Sequence, residues 1–249
     1  MDVTIDRLAS GAARPLKRWS TGRVAAGLVM SLWAGLFWFL FFSGRSALYL
    51  SSRTSWIVPT GAIIMTIAAL GRLASSRAVD ADAPTRRDVW SLALIAAPAI
   101  IVLALPPASL GSFATQRRSS FVSAGYVSSV EDVTTGELSL ADVAGAVRSD
   151  EAMRALVARA GTEVSFTGFV ARDKSMPADE FMLSRFVVSC CVADALAVQV
   201  RIVDAPPGEL EIDQWVRVTG ALYPLGREVV VQATNIEPVP RPKHPYLNP

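Results

Sequence analysis

The chain has 249 residues, of which 51% are hydrophobic and only 18% charged, a balance too apolar for an ordinary soluble protein. Residues 1–111 carry 11 Lys+Arg against 5 Asp+Glu, whereas residues 112–249 carry 13 against 17. A mildly acidic second half lacks the clustered cations that neutralise phosphate, so no nucleic-acid partner is expected, and a single histidine, His244, rules out a multi-histidine metal site.

Three uncharged runs account for the basic half, residues 1–111, which reads as a bundle of three transmembrane helices in a lipid bilayer. Val24 to Gly44 has no charge over 21 positions, enough helix for a hydrocarbon core of about 30 Å. It is too long for the apolar core of a signal peptide, and no small-residue cleavage site follows. The second run lies between Arg53 and Arg72, with Pro59 and Gly61 near its start, where a helix tolerates them. The third follows Asp88 and contains Pro98, Pro106 and Pro107, which predict a kink and a stop near Leu105. Spans are therefore expected at about 24–44, 54–71 and 89–110.

Orientation follows from the flanking cations. The N-terminal tail holds Arg7, Arg14, Lys17, Arg18 and Arg23, the first loop only Arg45 and Arg53, and the second Arg72, Arg77, Arg86 and Arg87. This pattern predicts a multi-pass protein of the cytoplasmic membrane with its N-terminus inside and its C-terminal domain outside.

Residues 112–160 read as a tether with short helices. Ala114 to Leu138 is polar and rich in Ser, Thr and Gly. Leu140, Val143 and Val147 then keep helical spacing. Ser149 is a candidate cap for a second helix that buries Met153, Leu156 and Val157 and stops at Gly161.

From residue 161 the period becomes two. Strands are expected at Val164–Val170, Phe181–Val192, Leu196–Val203, Gln214–Leu222 and Glu228–Ile236, with a turn at Asp204-Ala-Pro-Pro-Gly208. Five short strands predict a small OB-like β-barrel over 161–249, a rhythm other small barrels share. The whole is an α+β membrane protein. Trp215 is the expected core anchor.

Chemistry concentrates at Arg185-Phe-Val-Val-Ser-Cys190-Cys191-Val-Ala-Asp194. Strand alternation would turn Cys190 inward, as a small hydrophobe, and Cys191 outward. Cys190, Cys191 and Asp194 are candidate ligands for a thiophilic metal ion, since thiolates suit zinc or copper(I). Arg185, Cys191 and Asp194 are candidate contacts to a ligand or partner. Neither a phosphate-cradling glycine loop nor a base placed beside a cysteine is recognisable, so no enzyme is expected.

At this cluster the sequence resembles the YcgQ-like bacterial permease-subunit family, with its CCxAD signature. The resemblance spans residues 160–248 and rests on Gly168-Phe-Val, Arg185-Phe, Cys190-Cys191-Val-Ala193-Asp194, Trp215-Val-Arg-Val-Thr-Gly220 and Pro245-Tyr246-Leu247. It implies a non-enzymatic accessory subunit of a two-component membrane permease, with a multi-spanning permease as partner. The alternative from the residues is a membrane-tethered metal-binding or thiol-redox module built on Cys191 and Asp194.

Overall fold

The computed structural model describes residues 18–78, 85–105, 108–118, 129–173, 175–206, 210–226 and 228–248. The chain forms two compact units, one of Met1–Phe42 with Ile57–Pro106 and one of Ser43–Trp56 with Pro107–Pro249. Arg7, Arg14, Lys17, Pro106, Pro107 and part of the Asp204–Gly208 turn lie outside the described residues.

In the first unit a short strand, β1 (Arg18–Trp19), precedes helix α1 (Thr21–Phe42). Helix α2 (Ile57–Ala74), strand β2 (Arg77–Ala78) and helix α3 (Arg86–Ala104) follow. All three helices are long and apolar enough to cross a membrane. Leu28, Phe42, Ile67, Leu70, Trp90 and Leu94 leave large apolar side chains exposed, which suits hydrocarbon and not water. Two indoles among them find partners inside the bundle, as a bilayer demands. The Trp33 indole donates to the Ile95 carbonyl at 3.0 Å, and the Trp38 indole donates to the Thr66 hydroxyl at 3.1 Å.

The helix ends differ from the expected spans by a few residues, for local reasons. α1 begins early and takes in Arg23, whose guanidinium donates to the Ser75 carbonyl at 2.9 Å. α3 starts at a capping box in which Thr85 and Asp88 satisfy each other's backbone N–H. It ends at Ala104 because Leu105, which precedes Pro106, is driven into an extended conformation.

In the second unit α4 (Ser112–Arg118), α5 (Val130–Thr134), α6 (Leu140–Ala146) and α7 (Asp150–Val157) lead into the strands. The polar stretch 114–138 is therefore more than a tether where it is described; residues 119–128 lie outside that range. Val133 is fully buried and Leu138 nearly so, both in the core under the barrel. Ser139 and Ser149 cap α6 and α7 as their residue types suggest. The buried face of α7 differs from expectation: Ala152 and Leu156, four residues apart, are buried, whereas Val157 is 53% exposed.

Strands β3 (Glu163–Ala171), β4 (Phe181–Val187), β5 (Leu196–Val203), β6 (Trp215–Leu225) and β7 (Glu228–Pro238) form a closed five-stranded barrel, and β8 (Tyr246–Leu247) adds to β4. The order is β3–β6–β7–β5–β4, and β3 pairs again with β4 to close it. All pairs within the barrel are antiparallel except β5 with β7. That order, with its one parallel pair, is the Greek-key arrangement of an OB-like barrel.

Closure needs two close approaches. A Cβ at Gly168 would stand 2.7 Å from the Ser184 carbonyl oxygen, where β3 leaves β6 for β4. One at Gly220 would stand 2.1 Å from the Gln232 carbonyl oxygen, at the bulge between Thr219 and Gly220. Val164, Phe166, Leu183, Val200, Val218 and Val231 fill the interior. A second cluster holds Phe169, Phe186, Val188, Ala197 and Tyr246. Trp215 is only half-buried at its margin, edge-on to Phe169 at 5.8 Å. The largest fully buried side chains are Phe169, Phe181 and Phe186, so the anchoring expected of Trp215 falls to them.

Candidate metal centre

The predicted second strand ends five residues early, and this is what builds the site. β4 stops at Val187, paired with Leu196 at the start of β5, so residues 188–195 form the connection between them. Val188 is still fully buried and donates its N–H to the Leu247 carbonyl of β8 at 2.9 Å. Beyond it the chain turns around one carboxylate. Asp194 accepts from the Ser189 N–H at 3.0 Å, the Cys190 N–H at 2.7 Å and the Cys191 N–H at 3.4 Å. A short acidic side chain taking nearby amides competes with the strand ladder and breaks it.

The cysteines are consequently not on an alternating strand. Cys190, expected inward, is exposed; Cys191, expected outward, is half-buried. Instead of facing apart, their sulfurs lie 3.6 Å from each other. The two thiols and an Asp194 oxygen all lie within 4.8 Å of one another. Two thiolates on a tetrahedral ion at about 2.3 Å stand roughly 3.8 Å apart, so the pair already has a metal-spanning separation. Asp194 spends three of its carboxylate lone-pair sites on amides, which leaves one for a further partner.

Electrostatics couple the same groups. The bond to Asp194, then that to Cys191, pushes the Cys190 thiol up to about 11. Burial alone would raise Asp194, but the Cys190 thiol and the three amides outweigh it and hold the carboxyl below its usual range. Metal-free, this is a neutral thiol leaning on a carboxylate. A thiophilic ion held here would take the place of the thiol proton.

The other singled-out residues divide into supports and bystanders. Arg185 is engaged with the tail; its guanidinium donates to the carbonyls of Pro245 and His244, both at 3.0 Å, and lies 5.8 Å from the Trp215 ring. Burial lowers its pKa. Arg185 thereby ties down the C-terminal tail, and Tyr246 of that tail pairs with Phe186. Gly220 belongs to the barrel bulge, Ala193 is exposed within the loop, and the His244 side chain is exposed.

Sequence reasoning missed the segment between α1 and α2. Leu50 forms an antiparallel bridge with Cys191, and the Val192 N–H donates to the Tyr49 carbonyl at 2.9 Å. The Cys190 carbonyl accepts from the Ser51 N–H at 3.2 Å and the Thr54 hydroxyl at 2.6 Å. The Tyr246 hydroxyl donates to the Leu48 carbonyl at 3.0 Å, and Ser51 and Ser52 donate to the Asn248 side chain. The run Ser51-Ser52-Arg53-Thr54-Ser55 offers hydroxyls, but nothing local points to partners so distant in sequence.

No curated protein matches the chain. Among solved structures, a chain from a replication protein A heterotrimer bound to single-stranded DNA is similar, at 22% identity and a TM-score of 0.22. The similarity covers 32% of this chain and 57% of that one. Residues 150–249, from α7 through the barrel to the tail behind the cysteine loop, match the family model of the DUF1980 C-terminal domain.

Proposed function

We propose that the protein is a membrane-anchored, non-enzymatic accessory subunit of a permease whose β domain holds a thiophilic metal ion between Cys190, Cys191 and Asp194. The observation that carries the metal is the 3.6 Å separation of the two sulfurs beside a carboxylate that keeps one lone-pair site free of amides. Three protein ligands leave a tetrahedral ion one open position, as suits an ion that is taken up and handed on. A redox role is the weaker reading, because the thiolate is the reactive form and Asp194 keeps the Cys190 thiol protonated. The permease partner is supported by the resemblance at the CCxAD cluster.

The test is purification of the full-length protein from membranes in mild detergent without chelator. Metal content near one ion per chain, lost in Cys191→Ser, is expected, together with a co-purifying multi-spanning protein. A metal-free protein that also takes up no added zinc or copper(I) overturns the metal assignment. Consistent purification alone overturns the partner.

The extracytoplasmic placement of the β domain rests on the flanking cations. The odd number of spans it needs is supported by the grouping of residues 43–56 with 107–249 in one unit, since a loop after one span and a domain after three share a side. A reporter active only outside the cytoplasm is expected to be active when fused after Pro249 and silent at Ala81. The opposite result would reverse the orientation.

A further inference from the structure

The cysteine loop does not hold itself together. Asp194 gathers the amides on one side of it and donates its own N–H to the Cys191 carbonyl, but the Cys190 carbonyl and the Val192 N–H are satisfied by residues 49–54. Cys190 offers its carbonyl to Ser51 and Thr54, Cys191 bridges Leu50, and Val192 donates to Tyr49. Cys190 is thus bonded to this short segment directly, and Cys191 lies opposite Leu50 between two residues bonded to it, so the backbone that carries both sulfurs rests on it. Asn248 and Tyr246 pin that segment from behind through Ser51, Ser52 and Leu48. Along the chain it lies between α1, which ends at Phe42, and α2, which begins at Ile57.

Resting on the metal reading above, we infer that residues 49–54 are positioning residues of the Cys190–Cys191–Asp194 site, and that ion binding and the docking of this loop are thermodynamically linked. An ion that fixes both sulfurs fixes the backbone they hang from, and the bridge to Leu50 then costs less ordering. By reciprocity, a loop held docked raises the affinity for the ion by the same factor. The connection between two membrane helices is thereby made sensitive to whether the site is filled.

The experiment uses the full-length protein in detergent, with Co(II) alone as probe, read by its thiolate charge-transfer band, and amide hydrogen exchange in parallel. Saturating Co(II) is expected to slow exchange at Ser51 and Val192, the two amides that cross between segments. Thr54→Val keeps the side-chain shape but removes one bond to the Cys190 carbonyl. It is expected to weaken Co(II) about three- to tenfold, mainly through faster release, and to reduce the protection gained at Ser51. Thr54→Ser, which retains the hydroxyl, should restore both. Co(II) binding with unchanged exchange at Ser51 and unchanged affinity in Thr54→Val overturns the linkage and leaves the metal site standing. Absence of any thiolate band overturns both.

Discussion

Asp194→Ala is expected to lower metal affinity at least about 100-fold and to release the amides of residues 189–191 to rapid exchange even without metal. The substitution does two things at once. It removes one of three donors, and it removes the acceptor around which Ser189, Cys190 and Cys191 are turned. Without it the sulfurs lose the 3.6 Å separation that suits an ion. Orphaned amides in a partly exposed loop find water, so the stability loss should stay at about 1–3 kcal/mol. Asp194→Asn makes an informative companion. Its single amide oxygen accepts fewer of the three N–H groups and carries no charge, so loop protection returns in part while the metal does not. Wild-type affinity in Asp194→Ala would remove the carboxylate from the site.

Gly220→Ala is expected to be the most damaging single change in the barrel. Its Cβ would meet the Gln232 carbonyl oxygen at 2.1 Å, the Gln232 carbonyl carbon at 2.9 Å and the Ala233 Cα at 3.0 Å. All three are backbone atoms of the paired strand, so no side chain can swing aside. β6 and β7 would have to separate at the bulge, loosening the register that seats Val218 and Leu222. A cost of about 3 kcal/mol, or a Tm lower on the order of 10–20 °C for a domain of this size, is expected. A thermal scan within two degrees of wild type would show that the bulge accommodates a methyl group.

Much of the architecture was legible because it is written in local periodicity. The three helices follow from uncharged length, β5 from alternation alone, α6 from the spacing of Leu140 and Val143, and the start of α7 from Ser149. The site was legible only as a set of residues. Cys190, Cys191 and Asp194 do come together, but alternation assigned the cysteines to opposite faces because it assumed β4 ran on to Val192. The strand ends at Val187 because a side chain three to five positions ahead captures the amides that follow it, and period-two patterning carries no signal for that. Trp215 was overrated for a related reason. Bulk suggests burial, but its ring is shared between Phe169 and the Arg185 cation at the edge of the second cluster. The contribution of Tyr49, Leu50 and Thr54 is a contact between segments some 140 residues apart, which no local pattern encodes.

Those long separations also impose an order of events during synthesis. Ser51 and Ser52 leave the ribosome early, yet their partner Asn248 is the second residue from the end of the sequence, 197 and 196 positions later. At roughly 5–20 residues per second, about 10–40 s pass before the tail exists to receive them. Throughout that interval Ser51 and Ser52 lack the Asn248 side chain and the Leu48 carbonyl lacks the Tyr246 hydroxyl, even once the cysteine loop has been made. Final seating of residues 48–52, and with them of the cysteine loop they touch, thus waits for Tyr246 and Asn248, and a nascent protein that stops short of both presents an unfastened segment to quality-control proteolysis.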